Sequence, residues 1–277
     1  MNRRSFLAAL IGTPALAALL AACGDDSHSA SEYSVPNDAD AVVLRVTYEG
    51  GFVPAGTAFV NLPTLLVSGD GRAFRPGPMT EQFPGPLLPA VLERAITSEG
   101  IQRILHLADD AGLLAEPPDY SLPEGDMVAD ASDTVVTLTV NGTTYVHRAN
   151  ALGIDSPDGF GSTPARDNLE KFVTLIADLE KVVGADNLGV EQPFVPVHYR
   201  FQAMVVDPTQ WTDPAPTVVE WPAATGVTLA DATQCATIDA ATSETVFQNA
   251  TQLTFFQEAG LVYQVVAVGV LPGDASC

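Results

Sequence analysis

Histidine is the side chain best suited to proton transfer near neutral pH, and this chain has four: His28, His106, His147 and His198. Three have solvated settings. His28 lies in a polar stretch near the N-terminus, His106 shares the polar face of a helix with Asp109 and Asp110, and His198 sits on the polar side of a strand. His147 differs, because the register of its hairpin turns it towards an apolar face beside Val136. It is the one site candidate: a satisfied core or rim histidine on the first reading, a ligand or general base on the second. The zincin His-Glu-x-x-His pair, the Gly-x-Ser-x-Gly elbow, the Walker A loop, Gly-x-Gly-x-x-Gly and paired Cys-x-x-Cys are all missing from the sequence. Triads assembled from distant segments leave no spacing to read. The only lysines, Lys171 and Lys181, share the wet face of one helix with Glu170 and Glu180. No catalytic residue, metal ligand or cofactor is therefore assigned.

Charge is the next constraint. The chain has 277 residues, of which 34 are acidic and 12 basic, for a formal net charge of -22. Such a surface repels phosphate backbones, which argues against nucleic acid as a partner. There is no Lys or Arg between Arg103 and Arg148 and none after Arg200. Oxygen-rich segments at 119–133 and around Asp155 and Asp158 raise the idea of a Ca²⁺ site, but neither has EF-hand spacing. A solubilising acidic surface explains them more simply.

Residues 1–22 carry Arg3 and Arg4 followed by a short apolar run broken by Gly12 and Pro14, the make-up of an export signal. Leu20-Ala21-Ala22-Cys23 resembles a bacterial lipobox, which implies a diacylglyceryl group on Cys23. Asn2-Arg3-Arg4-Ser5-Phe6-Leu7 resembles the twin-arginine export motif, with Asn2 and Ala8 departing from it. The two resemblances imply an extracytoplasmic protein of the bacterial cell envelope, anchored to the membrane through Cys23. Residues 23–37, rich in Ser, Asp and Ala, read as a flexible tether. With Cys23 lipidated, Cys235 and Cys277 remain as an even pair in an oxidising compartment, and one disulfide is expected. Two free thiols are the alternative.

The remainder alternates strand and helix signals. Strands are expected at 41–48, 64–68 and 72–75, while residues 87–96 suit a helix or a strand. A helix follows with Ser98 as its cap, a stripe of Ile101, Ile104, Leu105 and Ala108, and Gly112 at its end. Asn141-Gly142 between Thr134–Val140 and Thr143–Ala149 specifies a two-residue hairpin that pairs Val136 with His147 and Leu138 with Tyr145. Thr163-Pro164 opens one helix carrying Leu169, Phe172, Val173, Ile176, Leu179 and Val183 to Gly184. Residues 189–197 read as a linker. Beyond it come strands at 199–206 and 218–221, a helix near 242–250, and a closing hairpin of 253–257 with 261–271. The fold class is α+β: two small domains, 38–188 and 189–277, each an antiparallel sheet with one or two helices on one face, the second closed by the disulfide. One continuous sheet with two helical layers is the alternative.

Over 41–184 the order of strand, Gly50-Gly51-Phe52, hairpin, helix ending Asp110-Ala111-Gly112-Leu113-Leu114, hairpin and helix looks like the emfourin family of small metallopeptidase inhibitors. That resemblance implies a protein partner and inhibition rather than catalysis, and identifies no inhibitory residue. The expected function is a lipid-anchored binding or interaction module, with an extracytoplasmic hydrolase using His147 and an acidic partner as the alternative.

Overall fold

A computed structural model describes residues 33–79, 81–123, 128–154, 161–275 and 277. The signal, the lipobox with Cys23, His28, Asp155 and Asp158 lie outside them. The first sheet uses β1 (Val42–Gly50), β2 (Leu65–Ser68), β3 (Arg72–Pro76), β4 (Val91–Ala95), β5 (Ser132–Val140), β6 (Thr143–Asn150) and β7 (Gln192–Pro193). Their order is β6-β5-β1-β2-β3-β4-β7, with every pair antiparallel. Three helices, α1 (Ser98–Asp110), α2 (Pro164–Ile176) and α3 (Leu179–Val183), cover one face. Leu44, Val46, Val136 and Leu138 meet Ile104, Leu105, Leu169 and Phe172 there, all at most 1% exposed. Side chains alternate across a strand, so Arg45, Thr47 and Glu49 lie on the opposite face of β1.

Local signals explain these elements well. Asn141 and Gly142 have φ of 52° and 74°, as a type I′ turn needs, and the hairpin pairs Val136 with His147 and Leu138 with Tyr145. Helix α1 is capped one residue earlier than expected: Thr97, not Ser98, is extended and accepts from the Gly100 N–H at 3.1 Å. Its hydroxyl also donates to Asn187 Oδ1, which favours Thr97 over its neighbour. The stripe expected as one helix from 164 to 183 is two helices. Asp178 caps α3 at the break, accepting from Lys181 N–H at 3.2 Å, so Leu179 and Val183 still reach the core.

The second sheet has the order β10 (Ala236–Asp239), β8 (His198–Val205), β12 (Leu261–Gly269), β11 (Thr254–Glu258) and β9 (Thr217–Glu220). All its pairs are antiparallel except β9 with β11, whose connection of more than 30 residues holds α4 (Ala240–Phe247) and permits the parallel return. Its core gathers Phe201, Trp221, Phe247 and Phe256 edge-to-face or tilted, and Trp221 Nε1 donates to Val227 O at 2.8 Å.

Several contacts tie the two sheets together within the unit Tyr33–Cys277. The segment read as a linker supplies β7, which pairs with β4. Residues 87–96 contain strand β4 rather than a helix, and Leu87 ahead of it enters the second core, its N–H donating to Ala250 O. The tail returns Leu271 to the outer face of the first sheet, beside Leu66, Phe74 and Val91. Tyr33, expected in the tether, is held on the body: its backbone exchanges two hydrogen bonds of 2.8 Å with the Gln102 side chain, and its hydroxyl donates to Asp109. An aromatic ring and two satisfied backbone groups offset the entropy of ordering it.

Candidate functional site

His147 comes from the middle of β6 and is fully buried. Nε2 lies 2.8 Å from Leu113 O, and Nδ1 lies 2.8 Å from the Tyr120 hydroxyl. A carbonyl can only accept, so Nε2 carries the proton and Nδ1 accepts from Tyr120. This neutral tautomer fits both neighbours: burial lowers the His147 pKa against a smaller opposing pull from Leu113 O, and burial raises Tyr120 to about 12. Leu113 is delivered by the α1 terminus, where Gly112 at φ 75° lets Leu113 N–H turn back to Ala108 O. With both nitrogens engaged and no carboxylate among its hydrogen-bond partners, His147 is equipped to hold the 113–120 loop against β6.

Arg166 completes that loop, and the sequence reading overlooked it. It is 3% exposed, and its guanidinium donates to the carbonyls of Tyr120, Asn150 and Ala151 at 2.8 to 3.2 Å. Burial lowers its pKa, with Glu170 and Asp167 opposing. A signal existed: Arg166 stands three residues before Leu169 and six before Phe172, on the buried stripe of α2.

The other sequence candidates separate. Cys235 and Cys277 form a disulfide with Cα atoms 5.2 Å apart, tying the C-terminus to the segment entering β10. His106 packs its ring edge-on to Tyr33 at 5.1 Å. His198 opens β8 opposite Asp239, and Lys181 pairs with Asp178 at 3.2 Å. In the acidic stretch 119–133, Asp119 caps Ser121 N–H, while Asp133 accepts from Asn150 and Arg148, bonds that hold its carboxyl below the usual range. Among the described residues no three His, Cys, Asp or Glu side chains converge as metal ligands would.

What the structure adds is a groove of about 550 Å³ where the helix layer ends beside β3. Its floor is apolar, from Leu65 and Ala73 on the sheet and Val173, Ile176 and Leu179 on the helices. Tyr48, 43% exposed, and Ala177 stand at its mouth. The rim carries both charges. Arg75 grips Glu191 through two bonds, Nε to Oε2 at 2.7 Å and Nη2 to Oε1 at 2.6 Å, which raises the Arg75 pKa and lowers that of Glu191. Arg94 Nε donates to Gly189 O at 3.1 Å, and Asp178 and Glu180 line the facing side. The lining holds no Ser, Cys, His or Lys; its hydroxyls are Tyr48 and Thr64 and its carboxylates Asp178, Glu180 and Glu191, the last already gripped by Arg75. From the sequence Arg75 reads as a surface residue of its strand and Ala177 as a position inside one continuous helix, so no sequence signal announces the groove.

Comparison with protein-family models, with curated proteins and with solved structures finds no match to this chain.

Proposed function

We propose that this chain is a lipid-anchored, extracytoplasmic binding module without catalysis, and that it recognises an extended segment of a protein partner in the groove beside β3. The groove itself carries the proposal: apolar floor, rim of both charges, and a lining without Ser, Cys, His or Lys. An extended peptide offers matching chemistry, since alternate side chains reach the floor while its charged groups meet Arg94, Asp178 and Glu180. The burial of His147 removes the residue on which a hydrolase reading rested. The resemblance of residues 41–184 to emfourins, read from the sequence alone, would also favour a protein as the partner.

The anchor half of the proposal rests on the lipobox at Cys23 and the twin-arginine-like signal. A disulfide between Cys235 and Cys277 suits an oxidising compartment, and among the described residues no helix is long and apolar enough to cross a membrane. Intact mass of detergent-extracted protein should show diacylglyceryl-Cys23 at the N-terminus, and Cys23→Ala should leave the protein unlipidated. For recognition, Ala177→Arg places a long cation in the groove mouth from an exposed position. Envelope proteins cross-linked to the wild type should be lost with Ala177→Arg; an unchanged set of partners would rule out the groove.

A further inference from the structure

Four strands end the two sheets of the described residues, and three of them are guarded. β7 is two residues long and ends in Pro193. β9 has four residues, with Pro216 before it and Pro222 two positions after it, and β10 has four between the disulfide at Cys235 and the start of α4. β6 differs: it has eight residues, no Pro, no Gly and no bulge in its pairing with β5. Short strands, prolines and bulges keep sheet edges from pairing with other chains, and β6 has none of these guards.

The Asn141-Gly142 turn decides which backbone groups that edge presents. It closes on the pair Val140 and Thr143, so Thr143, Tyr145, His147 and Ala149 bond to β5, and the N–H and C=O groups of Thr144, Val146 and Arg148 point away from the sheet. All three residues are exposed, Val146 at 47%, and none of those groups has a partner among the described residues. Loop 117–122 stands beside the Val146 to Asn150 end of this edge, with an open slot of about 540 Å³ between them. Pro117 and Pro118 line one side, and Val146, Arg148 and Asn150 the other. A single extended chain fits between loop and edge, whereas the loop obstructs the approach of another whole sheet.

The charges of the slot favour a cation. Asp119 lines it, bonded only to Ser121, and Arg148 is shared between Asp133 and Glu49, two carboxylates against one guanidinium. Arg166, buried behind the loop, has Asp167 and Glu170 beside it. We propose that β6 binds an extended segment of a protein partner bearing Lys or Arg, added as a further strand. Its main chain pairs with Thr144, Val146 and Arg148, an apolar side chain covers Val146, and a cation meets Asp119. Three strands separate β6 from β3, so this edge and the groove can each fail alone.

The test uses the mature, disulfide-intact protein at physiological salt with three end-blocked heptapeptides as probes: alternating Lys and Val, alternating Glu and Val, and the Lys-Val peptide methylated at every backbone nitrogen. By calorimetry the Lys-Val peptide should bind one-to-one, at least about tenfold more tightly than the other two. It should also slow amide hydrogen exchange at Thr144, Val146 and Arg148. Val146→Lys puts a cation at the slot from an exposed position and should weaken binding by about tenfold or more with an unchanged melting temperature. Ala177→Arg, in the groove, should leave it intact. Five results would each overturn the proposal: no saturable binding, equal binding of either control peptide, binding without protection of those amides, wild-type affinity in Val146→Lys, or loss of binding in Ala177→Arg. A dimer of the free protein that Val146→Lys dissociates would also overturn it, assigning the edge to a second copy of the chain.

Discussion

Replacing His147 by Gln tests whether that residue is structural. In the wild type both ring nitrogens are satisfied in a site that excludes water: Nε2–H on Leu113 O and Nδ1 on the Tyr120 hydroxyl, each at 2.8 Å. Gln is differently shaped and cannot meet both groups from the same backbone position. One buried polar group is orphaned, at about 1 to 3 kcal/mol. The pH dependence then separates this account from generic damage. Burial lowers the His147 pKa in the folded state, so above the unfolded value of 6.5 both states are neutral and the stabilisation is complete. As pH falls below that value the unfolded chain takes up a proton that the folded chain refuses. The wild type therefore loses stability, by at most about 1.4 kcal/mol per pH unit, until the folded-state pKa is reached. Asp133 and Glu191, whose pKa values are lowered, lose their contributions only in the more acidic carboxylate range. Urea unfolding at pH 7.5 and pH 5.5 should show His147→Gln destabilising at the higher pH, with the gap narrowing at the lower. An equal or wider gap at pH 5.5, or no cost at pH 7.5, would refute the assignment of a buried neutral imidazole.

Three further outcomes follow from single contacts. Arg166→Met strips three carbonyls of their donor and should cost about 3 kcal/mol, with faster proteolysis of the 113–122 loop; an unchanged melting temperature would show that those carbonyls find other partners. Reducing the Cys235–Cys277 disulfide reopens a separation of 42 residues, and urea unfolding in reductant should show a loss of about 4 kcal/mol; equal stability with and without reductant would contradict it. Thr97→Ala should cost about 1 kcal/mol while Ser98→Ala stays within about 0.5, and the reverse order would return the α1 cap to Ser98.

Much of the local structure was legible because its causes are local. The Asn141-Gly142 turn sets its own register, and that register turned His147 inward before any contact was known. Helix α1 shows its buried stripe and its glycine stop, and the Thr163 cap and Pro164 start of α2 are written in adjacent residues. The errors at this level were small and had local reasons too. The break at Ala177 and Asp178 was invisible because apolar spacing continues through it, although Asp178 is itself a good cap.

The sites are a different matter. The partners of His147 stand 27 and 34 residues away, and neither Tyr120 nor the Leu113 carbonyl advertises itself by spacing. Hairpin register placed Thr144, Val146 and Arg148 on one face of β6; only the folded chain left that strand at a sheet edge and brought loop 117–122 beside it to make a slot. The groove beside β3 likewise exists because two helices stop short of a third strand, and the parallel β9–β11 pair because a long connection returns to the same sheet. Turn chemistry and hydrophobic period act over a few residues and survive without the rest of the chain. Which faces meet depends on how whole elements bury their apolar sides together, and pairwise proximity across more than a hundred residues leaves no mark on either segment alone.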